Sequence, residues 1–371
     1  MARVISVGIA DIPYKAHQSE AKDFIYQMFS RAREDMGRLI NVFDNSAIES
    51  RHFTQPKEWF GKPHSFVERN KLYLNNALTL SLSAANHCIE KTNAELSDFD
   101  HIIFVSSTGI ATPTIDALLI NKLKLDTHLR RTPIWGLGCV GGAVGLSRAF
   151  EYTRAFPKSA VLVIALEICS LAFLKDDYSK SNIIATALFS DGAAAVLVAG
   201  REHKLFRSTA EPLSSNRNEI NGNSLGINFI DSLSTTYYDS LDIMGWEIVD
   251  AGFKAIFSKD IPMIVRKYVR ENIEELLDRH NLKLGDLKHF VIHPGGLKVI
   301  EAYEESLGLA NGTFGYSRKV LREHGNMSSP TVLYVLKEFL DEGKYRYGDY
   351  GLISALGPGF SSELILFKVD K

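Results

Sequence analysis

The chain alternates between short, mostly apolar runs of strand length and longer stretches with helical periodicity. In the first half, the short runs lie at residues 4–10, 101–106, 160–165 and 193–198. The run at 160–165 is apolar on both faces, which predicts a central strand. Helical spacing of apolar residues predicts helices over residues 19–48 and 70–95, with a polar and aromatic surface loop over residues 49–69. Strands that alternate with long helices indicate an α/β protein.

The second half repeats this order after a stretch rich in Ser, Asn and Gly at residues 207–236, which predicts an irregular crossing between two halves. The pattern then predicts helices over residues 246–280, 297–307 and 325–340, and strands over residues 289–292, 351–356 and 364–367. In both halves a strand leads through a glycine turn into a helix. We therefore expect two similar halves, residues 1–206 and residues 207–371.

Composition narrows the class of protein. The 371 residues are 45% hydrophobic and 23% charged with a formal net charge of -2, so no attraction to nucleic acid is expected. The first strand is too short for a secretory signal and no run reaches membrane-spanning length, so we expect a cytoplasmic protein. The three cysteines, Cys88, Cys139 and Cys169, form neither a disulfide framework nor a metal-ligand pattern, and we expect no metal.

The cysteine at position 139 has the most unusual surroundings. Residues 136–142 read GLGCVGG and lie where an apolar strand ending near Trp135 gives way to a helical pattern. Free N–H groups and the positive end of a helix dipole favour a thiolate at such a helix start, so Cys139 is a candidate nucleophile. The local sequence is equally typical of a buried structural cysteine on a glycine-rich packing face.

Two further residues stand at comparable positions. His293 ends an apolar strand directly before Pro294-Gly295-Gly296, where a strand-end loop would carry it into a crevice. Asn326 follows Gly325 at the start of the last long helix. A packed histidine and an N-cap asparagine are the structural alternatives. Because element ends of this kind meet at one end of a sheet, the cysteine, the histidine and the amide together predict one catalytic site.

Five motifs in a fixed order resemble those of the type III polyketide synthases, the chalcone synthase superfamily of thiolase-like condensing enzymes. The motifs are GLGC at residues 136–139, ALFSDGAA at 187–194, IHPGG at 292–296, GNMSS at 325–329 and LGPGF at 356–360. The resemblance covers essentially the whole chain. Within the superfamily, the chain is most similar to bacterial members of the Bacillus type, which make alkylpyrones and related products from long acyl starters.

The resemblance implies a thiolase-like five-layer αβαβα fold, a homodimer, and acyl-CoA and malonyl-CoA substrates without a cofactor. It implies an acyltransferase in which Cys139 carries the growing chain and pairs as a thiolate with an imidazolium at His293. His293 and Asn326 would donate N–H groups to the enolate that forms when malonyl-CoA loses carbon dioxide. Phe189 resembles the gatekeeper phenylalanine of the family, which helps to exclude water.

The resemblance also implies residues that shape the substrate cavity and bind CoA. The cavity and gatekeeper set is Phe189, Thr112, Ala172, Ala255, Ser328, Gly357, Pro358 and Gly359. The CoA set is Arg51, Lys57, Gly295 and Gly296. Because Thr112, Ala172 and Ala255 are small, we expect a long tunnel that favours a fatty acyl starter, unless neighbouring side chains fill the space.

The expected products are triketide and tetraketide alkylpyrones, with alkylresorcinols as a side outcome. The alternative within the family is a malonyl-primed synthase that makes tetrahydroxynaphthalene or phloroglucinol. Alternatives of other classes are an acyl-CoA thioester hydrolase and a non-catalytic acyl-CoA-binding protein. The Pro-Gly-Gly after His293 argues against a ketoacyl-ACP synthase III, whose motif continues Gln-Ala-Asn. No cysteine follows Cys169, which argues against a degradative thiolase.

Overall fold

The computed structural model describes residues 1–30, 35–207, 219–220, 223–258 and 260–370. Its strands are β1 (Ala2–Ile9), β2 (Tyr14–His17), β3 (Ser50–Phe53), β4 (Phe99–Val105), β5 (Arg130–Ile134), β6 (Ala160–Ile168), β7 (Asp191–Gly200), β8 (Glu219–Ile220), β9 (Asn223–Ser224), β10 (Gly226–Thr236), β11 (Met244–Val249), β12 (Gly252–Phe257), β13 (Leu287–Ile292), β14 (Tyr350–Gly357) and β15 (Ser361–Asp370). Its helices are α1 (Gln18–Phe29), α2 (Met36–Leu39), α3 (Asn41–Asp44), α4 (Lys57–Phe60), α5 (Phe66–Glu90), α6 (Ile115–Leu123), α7 (Gly141–Ala155), α8 (Lys180–Leu188), α9 (Lys204–Arg207), α10 (Ile261–Asp278), α11 (Leu297–Leu307), α12 (Gly315–His324) and α13 (Thr331–Glu342). Strands and helices alternate in both halves, which confirms the α/β class.

Nine of these strands form one continuous mixed sheet. Their order across the sheet is β13, β14, β15, β10, β1, β7, β6, β4 and β5. The first half of the chain supplies β1, β7, β6, β4 and β5, and the second half supplies the other four strands. The two groups join where the start of β1 pairs with β10, with Ala2 opposite Phe229 and Arg3 opposite Asn228. The first strand of the chain therefore connects the two half-sheets.

Alternating side chains on each strand divide the core into layers. Val161 and Val163 of β6 join a buried cluster with α7, α13 and strands β14 and β15 of the other half-sheet. Leu162 and Ile164 of β6 pack with α5 instead. The remaining side chains of β14 and β15 pack with α10 and α11. The layers therefore run helix, half-sheet, helix, half-sheet, helix, which is the expected five-layer αβαβα order.

The element predictions hold best for the strands inside these layers. The apolar runs at residues 160–165 and 193–198 lie within β6 and β7, whose residues are buried throughout. The helix predicted over residues 297–307 coincides with α11. A strand that is buried on both faces can be predicted from sequence, because its burial is visible as a continuous apolar run.

The predicted surface loop at residues 49–69 is wrong. This stretch contains β3, which pairs with β2, then α4, and then the start of α5 at Phe66. Arg51 in β3 is only 2% exposed. The polar side chains that suggested a loop include groups that bond inside the protein to distant segments, and local polarity does not reveal such partners.

Three other predicted elements also differ from the structure. Residues 246–280 hold most of a hairpin of β11 and β12 before α10, rather than helices alone. Residues 226–236 form the sheet strand β10, and residues 208–218 and 221–222 of the predicted crossing lie outside the described residues. The helix expected over residues 19–48 is divided into α1, α2 and α3, and its residues 31–34 are likewise outside the description.

Candidate active site

Cys139 lies in a single 3-10 turn between β5 and α7. Gly138 has a φ of 49°, and a Cβ there would lie 2.9 Å from the ring of Pro358. A Cβ at Gly142 would lie 2.1 Å from the carbonyl oxygen of Ser329. Glycine at both positions therefore lets segments of the second half of the chain pack directly against the cysteine turn.

Asn326 is a polar neighbour of Cys139. The Sγ of Cys139 lies 4.0 Å from Oδ1 of Asn326, a long contact for a thiol donor. The same oxygen accepts a hydrogen bond from the backbone N–H of Ser328 at 2.8 Å, and Nδ2 donates to the carbonyl of Gly295 at 3.1 Å. Because α13 begins only at Thr331, Asn326 is not its N-cap. The amide is held instead by the loop that carries it and by the loop after β13.

His293 follows β13 and enters the same region. Its backbone N–H donates to the carbonyl of Ser354 at 2.8 Å, and its own carbonyl accepts from the N–H of Gly295 at 3.1 Å. Gly295 therefore bonds to both His293 and Asn326. The imidazole is buried, and neither ring nitrogen has a hydrogen-bond partner among the described residues. Such an unpaired buried group is a common feature of functional sites.

Burial governs the charge of both groups. It raises the pKa of the Cys139 thiol to about 11, against an opposing hydrogen bond from Ser328, and it lowers the pKa of His293 to about 3. Both shifts disfavour the charged forms, because burial penalises a thiolate and an imidazolium and no hydrogen bond joins the two side chains among the described residues. The thiolate–imidazolium pair stays a prediction.

A carboxyl group that was not predicted from sequence connects the loop after β4 to the loop that follows Asn326. Glu167 is fully buried, and its Oε2 accepts from the N–H of Ser107 at 2.9 Å and from the hydroxyl of Thr108 at 2.8 Å. Its Oε1 accepts from the hydroxyl of Ser329 at 2.8 Å. The Oγ of Ser107 in turn accepts from the N–H of Gly138 at 3.1 Å. Burial raises the pKa of Glu167 to about 7. The available signal was a glutamate inside an otherwise apolar strand.

Phe189 lies at the C-terminal end of α8 and is paired through its backbone with Asn326. The N–H of Ser190 donates to the carbonyl of Asn326 at 2.9 Å, and the N–H of Asn326 donates to the carbonyl of Leu188 at 2.9 Å. The ring of Phe189 lies 6.2 Å from that of Trp246, between centroids. Backbone hydrogen bonds therefore join the segment of the predicted gatekeeper, residues 188–190, to the predicted asparagine at 326, and we call these residues one backbone unit.

A cavity of about 390 Å³ opens beside Phe189. Predicted residues that line it are Phe189, Ala172, Ala255, Arg51 and Lys57. Its apolar lining includes Phe24, Ile25, Phe53, Phe60, Phe173 and Trp246. Cys139, His293 and Asn326 do not line this cavity, although Cys169 does. Phe189 links the two places, because it lines the cavity and its backbone pairs with that of Asn326.

The other predicted cavity residues fall into two groups. A Cβ at Gly357 would lie 2.6 Å from the carbonyl of Leu137, so the end of β14 abuts the cysteine turn, and Gly359 lies in the turn that follows. Gly296 directly precedes α11. Thr112 lies on an exposed loop between β4 and α6 and does not line the cavity of this chain. Gly357 therefore lies against the cysteine turn, whereas Thr112 does not lie at the cavity of this chain.

The two basic residues of the predicted CoA set have different surroundings. Lys57 is exposed, and its Nζ lies 5.4 Å from the ring centroid of Phe24. Arg51 is buried, and its guanidinium donates to groups of the protein itself. The role of Lys57 at a phosphate stays a prediction. The role of Arg51 at a phosphate also stays a prediction, and its observed partners do not support it.

Two absences concern the described part of the chain alone. No helix in it is both long and apolar enough to cross a membrane. Its His, Cys, Asp and Glu side chains form no group of three or more that is suited to a metal ion. A cytoplasmic location and a metal-free site stay predictions.

Both halves of the chain match models of a known family. Residues 2–201 match the N-terminal domain of chalcone and stilbene synthases, and residues 236–369 match the C-terminal domain. A protein of Bacillus subtilis (strain 168) named "Putative chalcone synthase" is 42% identical over 376 residues, covering 100% of both chains. A 1,3,6,8-tetrahydroxynaphthalene synthase of Streptomyces peucetius subsp. caesius is 30% identical over 365 residues, covering 98% of this chain and 92% of the other.

Solved structures extend the likeness to the fold. The crystal structure of 1,3,6,8-tetrahydroxynaphthalene synthase from Streptomyces coelicolor A3(2), a bacterial type III polyketide synthase, superposes with a TM-score of 0.88 at 25% identity, covering 100% of this chain and 99% of the other. PKS-I from the brown alga Ectocarpus siliculosus gives a TM-score of 0.86 at 25% identity, covering 99% and 98%. The matched regions include the turn of Cys139 and the loops of His293 and Asn326.

Proposed function

The chain belongs to the chalcone and stilbene synthase family of type III polyketide synthases, which have a thiolase-like fold, and we propose that it extends a long-chain fatty acyl-CoA starter with malonyl-CoA. The proposed products are triketide and tetraketide alkylpyrones, with alkylresorcinols as side products. The observation that carries the starter proposal is the apolar cavity beside Phe189, where Ala172 and Ala255 leave room for an alkyl chain.

The proposed chemistry begins with acyl transfer. The thiol of Cys139 gives its proton to His293, its sulfur bonds to the carbonyl carbon of the starter, and the leaving CoA sulfur takes that proton. Malonyl-CoA then loses carbon dioxide, and the electron pair of the broken C–C bond forms an enolate. The enolate oxygen accepts hydrogen bonds from N–H groups of His293 and Asn326. Its carbon attacks the acyl carbonyl, and the sulfur of Cys139 leaves.

We propose that the active form is a homodimer and that each chain consists of two thiolase-like halves, residues 1–206 and 207–371. The family matches end at residue 201 and resume at residue 236, which supports a boundary between them. Trp135 is 53% exposed and Ile110 is 44% exposed, beside a second apolar cavity of about 310 Å³. Such an exposed apolar patch is typical of an interface, and a second copy of the chain is the proposed partner.

A second candidate is a synthase primed by malonyl-CoA. The relatives named as 1,3,6,8-tetrahydroxynaphthalene synthases support it, since one is 30% identical over almost the whole chain. Such an enzyme needs no alkyl cavity, so the size and apolar lining of the cavity favour the fatty acyl starter.

The proposal is tested with purified protein, isotope-labelled malonyl-CoA and a series of starters from acetyl-CoA to stearoyl-CoA. Labelled alkylpyrones that peak with long starters, measured by mass spectrometry, are the expected result. Labelled product without added starter would replace the proposal with malonyl priming. Free fatty acid without malonyl incorporation would indicate a thioester hydrolase, and binding without any turnover would indicate an acyl-CoA-binding protein.

A further inference from the structure

Arg51 is a buried cation, and every hydrogen-bond acceptor that it has among the described residues is a neutral group. Its Nε donates to Oε1 of Gln18 at 2.8 Å, and its Nη1 donates to the carbonyls of Phe189, at 2.9 Å, and Thr186. The carboxyl of Asp191 attracts the guanidinium electrostatically and opposes the lowering of its pKa by burial, but it is not bonded to it. That carboxyl accepts hydrogen bonds from the backbone N–H groups of Thr54 and Ser170 instead. A buried guanidinium without a bonded carboxylate is costly, so the groups that it does bond indicate what it could do.

The aliphatic part of the same side chain contacts the other side of the site. Gly325, with a φ of 71°, directly precedes Asn326, and a Cβ on it would lie 2.8 Å from Cγ of Arg51. The next residue of β3 adds to this arrangement, since the N–H of His52 donates to Oγ of Ser190 at 2.8 Å. The side chain of Arg51 therefore spans the backbone unit that joins Phe189 to Asn326.

We propose that Arg51 is a positioning residue that holds Phe189 and Asn326 in register, and thereby places the Asn326 amide and the Phe189 ring for the malonyl-CoA step. The positioning of Phe189 and Asn326 by Arg51 is independent of the proposed function, whereas its effect on the malonyl-CoA step rests on that function. The guanidinium acts through carbonyl groups and touches no reacting atom. Lysine cannot replace it fully, because one ammonium on a flexible stem does not reproduce the planar fork that reaches Gln18 and Phe189 together.

The chain offers a matched control in a second buried arginine. Arg69 is 5% exposed, and its Nη1 donates to the carbonyls of Leu171, at 2.9 Å, and Phe173, at 2.7 Å. It therefore holds another backbone segment beside the cavity in the same chemical way. Its hydrogen bonds to the carbonyls of His64, Leu171 and Phe173 do not reach Phe189 or Asn326, so its loss tests general destabilisation alone.

The first experiment compares hydrogen–deuterium exchange in the full-length wild type, Arg51→Met, Arg51→Lys and Arg69→Met. We expect the amides of Ser190 and Asn326 to exchange about tenfold or more faster in Arg51→Met, to a smaller extent in Arg51→Lys, and at the wild-type rate in Arg69→Met. Unchanged exchange in both Arg51 variants, or equal acceleration in Arg69→Met, would overturn the proposal. If Arg51→Met does not fold, Arg51→Lys decides.

The second measurement separates two steps of turnover. In Arg51→Lys we expect kcat for malonyl-CoA consumption to fall about 10–100-fold, while the rate of acylation of Cys139 falls by less than about threefold. Equal losses in both steps would leave no specific role at Asn326 and would contradict the catalytic part of the proposal. A wild type that does not consume malonyl-CoA would refute the proposed function, whereas the exchange data would still decide the positioning role.

Discussion

The two sides of Phe189 are built in different ways. On one side, His293 directly follows β13 and Cys139 comes five residues after the end of β5, so both are carried by the two edge strands of the central sheet. On the other side, the cavity is lined by α1, β3, α4 and β12, none of which belongs to that sheet. The proposed reacting groups thus follow strands of the central sheet, whereas these elements of the proposed starter cavity lie outside it. We infer that chemistry and starter preference are separable by mutation.

The largest effect is expected on the sheet side. Cys139→Ala removes the sulfur proposed to carry the starter, so labelled product should fall by about 10³-fold or more. Intact-protein mass spectrometry after incubation with stearoyl-CoA checks whether the acyl adduct is lost with it. Cys88→Ala, at a buried cysteine packed against Ser6, is the matched control and should retain the adduct. An adduct that survives in Cys139→Ala and disappears in Cys169→Ala would place the nucleophile in the cavity instead.

A smaller and more selective effect is expected on the cavity side. Ala255→Phe fills the space beside Phe189, so kcat/KM should fall about 10–100-fold with stearoyl-CoA and by less than about threefold with acetyl-CoA. Competition between the two starters, followed by mass spectrometry, measures the change. Lys254→Ala alters the neighbouring side chain, which pairs with Glu247, and should keep the wild-type preference. Equal losses with both starters would mean that the two sides of Phe189 are not separable.

The smallest effect concerns the link between the halves at Glu167. Its pKa is raised to about 7, so the folded state holds this proton at a pH where the unfolded chain, with an ordinary pKa near 4.5, has lost it. The resulting stability is complete below pH 4.5 and is lost as pH rises through 7. Relative to Glu167→Gln, which stays neutral, the wild type should lose a few degrees of Tm between pH 5 and pH 8.

Thermal unfolding of both proteins at pH 5, 6, 7 and 8 measures this difference, and other titrating groups cancel because the two chains share them. A Tm difference that is constant over this range would show that Glu167 is ionised throughout. The carboxyl would then link Ser107 and Ser329 as a permanent anion.

The sequence signals for the candidate site are local. Cys139, His293 and Asn326 each stand beside glycines at the end of an element, and the structure brings them to one region. Glu167 was within reach of the same reasoning, because a carboxyl inside the apolar strand β6 must find donors. The catalytic roles of Cys139, His293 and Asn326 stay predictions.

The peripheral elements were harder to predict for a physical reason. Arg51 bonds to a carbonyl 138 positions away, and a polar side chain gives no local sign of such a partner. The hairpin of β11 and β12 was misread as helix although Phe253, Ala255 and Phe257 recur with the strand period of two. The order of strands in the sheet was also beyond local patterns, since β1 lies between β7 and β10.

That central place of β1 has a consequence for synthesis of the chain. Both strands that flank it, β7 at Asp191–Gly200 and β10 at Gly226–Thr236, are translated long after it. At about 5–20 residues per second, roughly 10–40 s separate β1 from its first partner. During that interval the nascent chain carries an apolar strand with two open edges. We therefore expect ribosome-bound or prematurely terminated chains to be prone to aggregation, and early chaperone binding should raise the yield of folded enzyme.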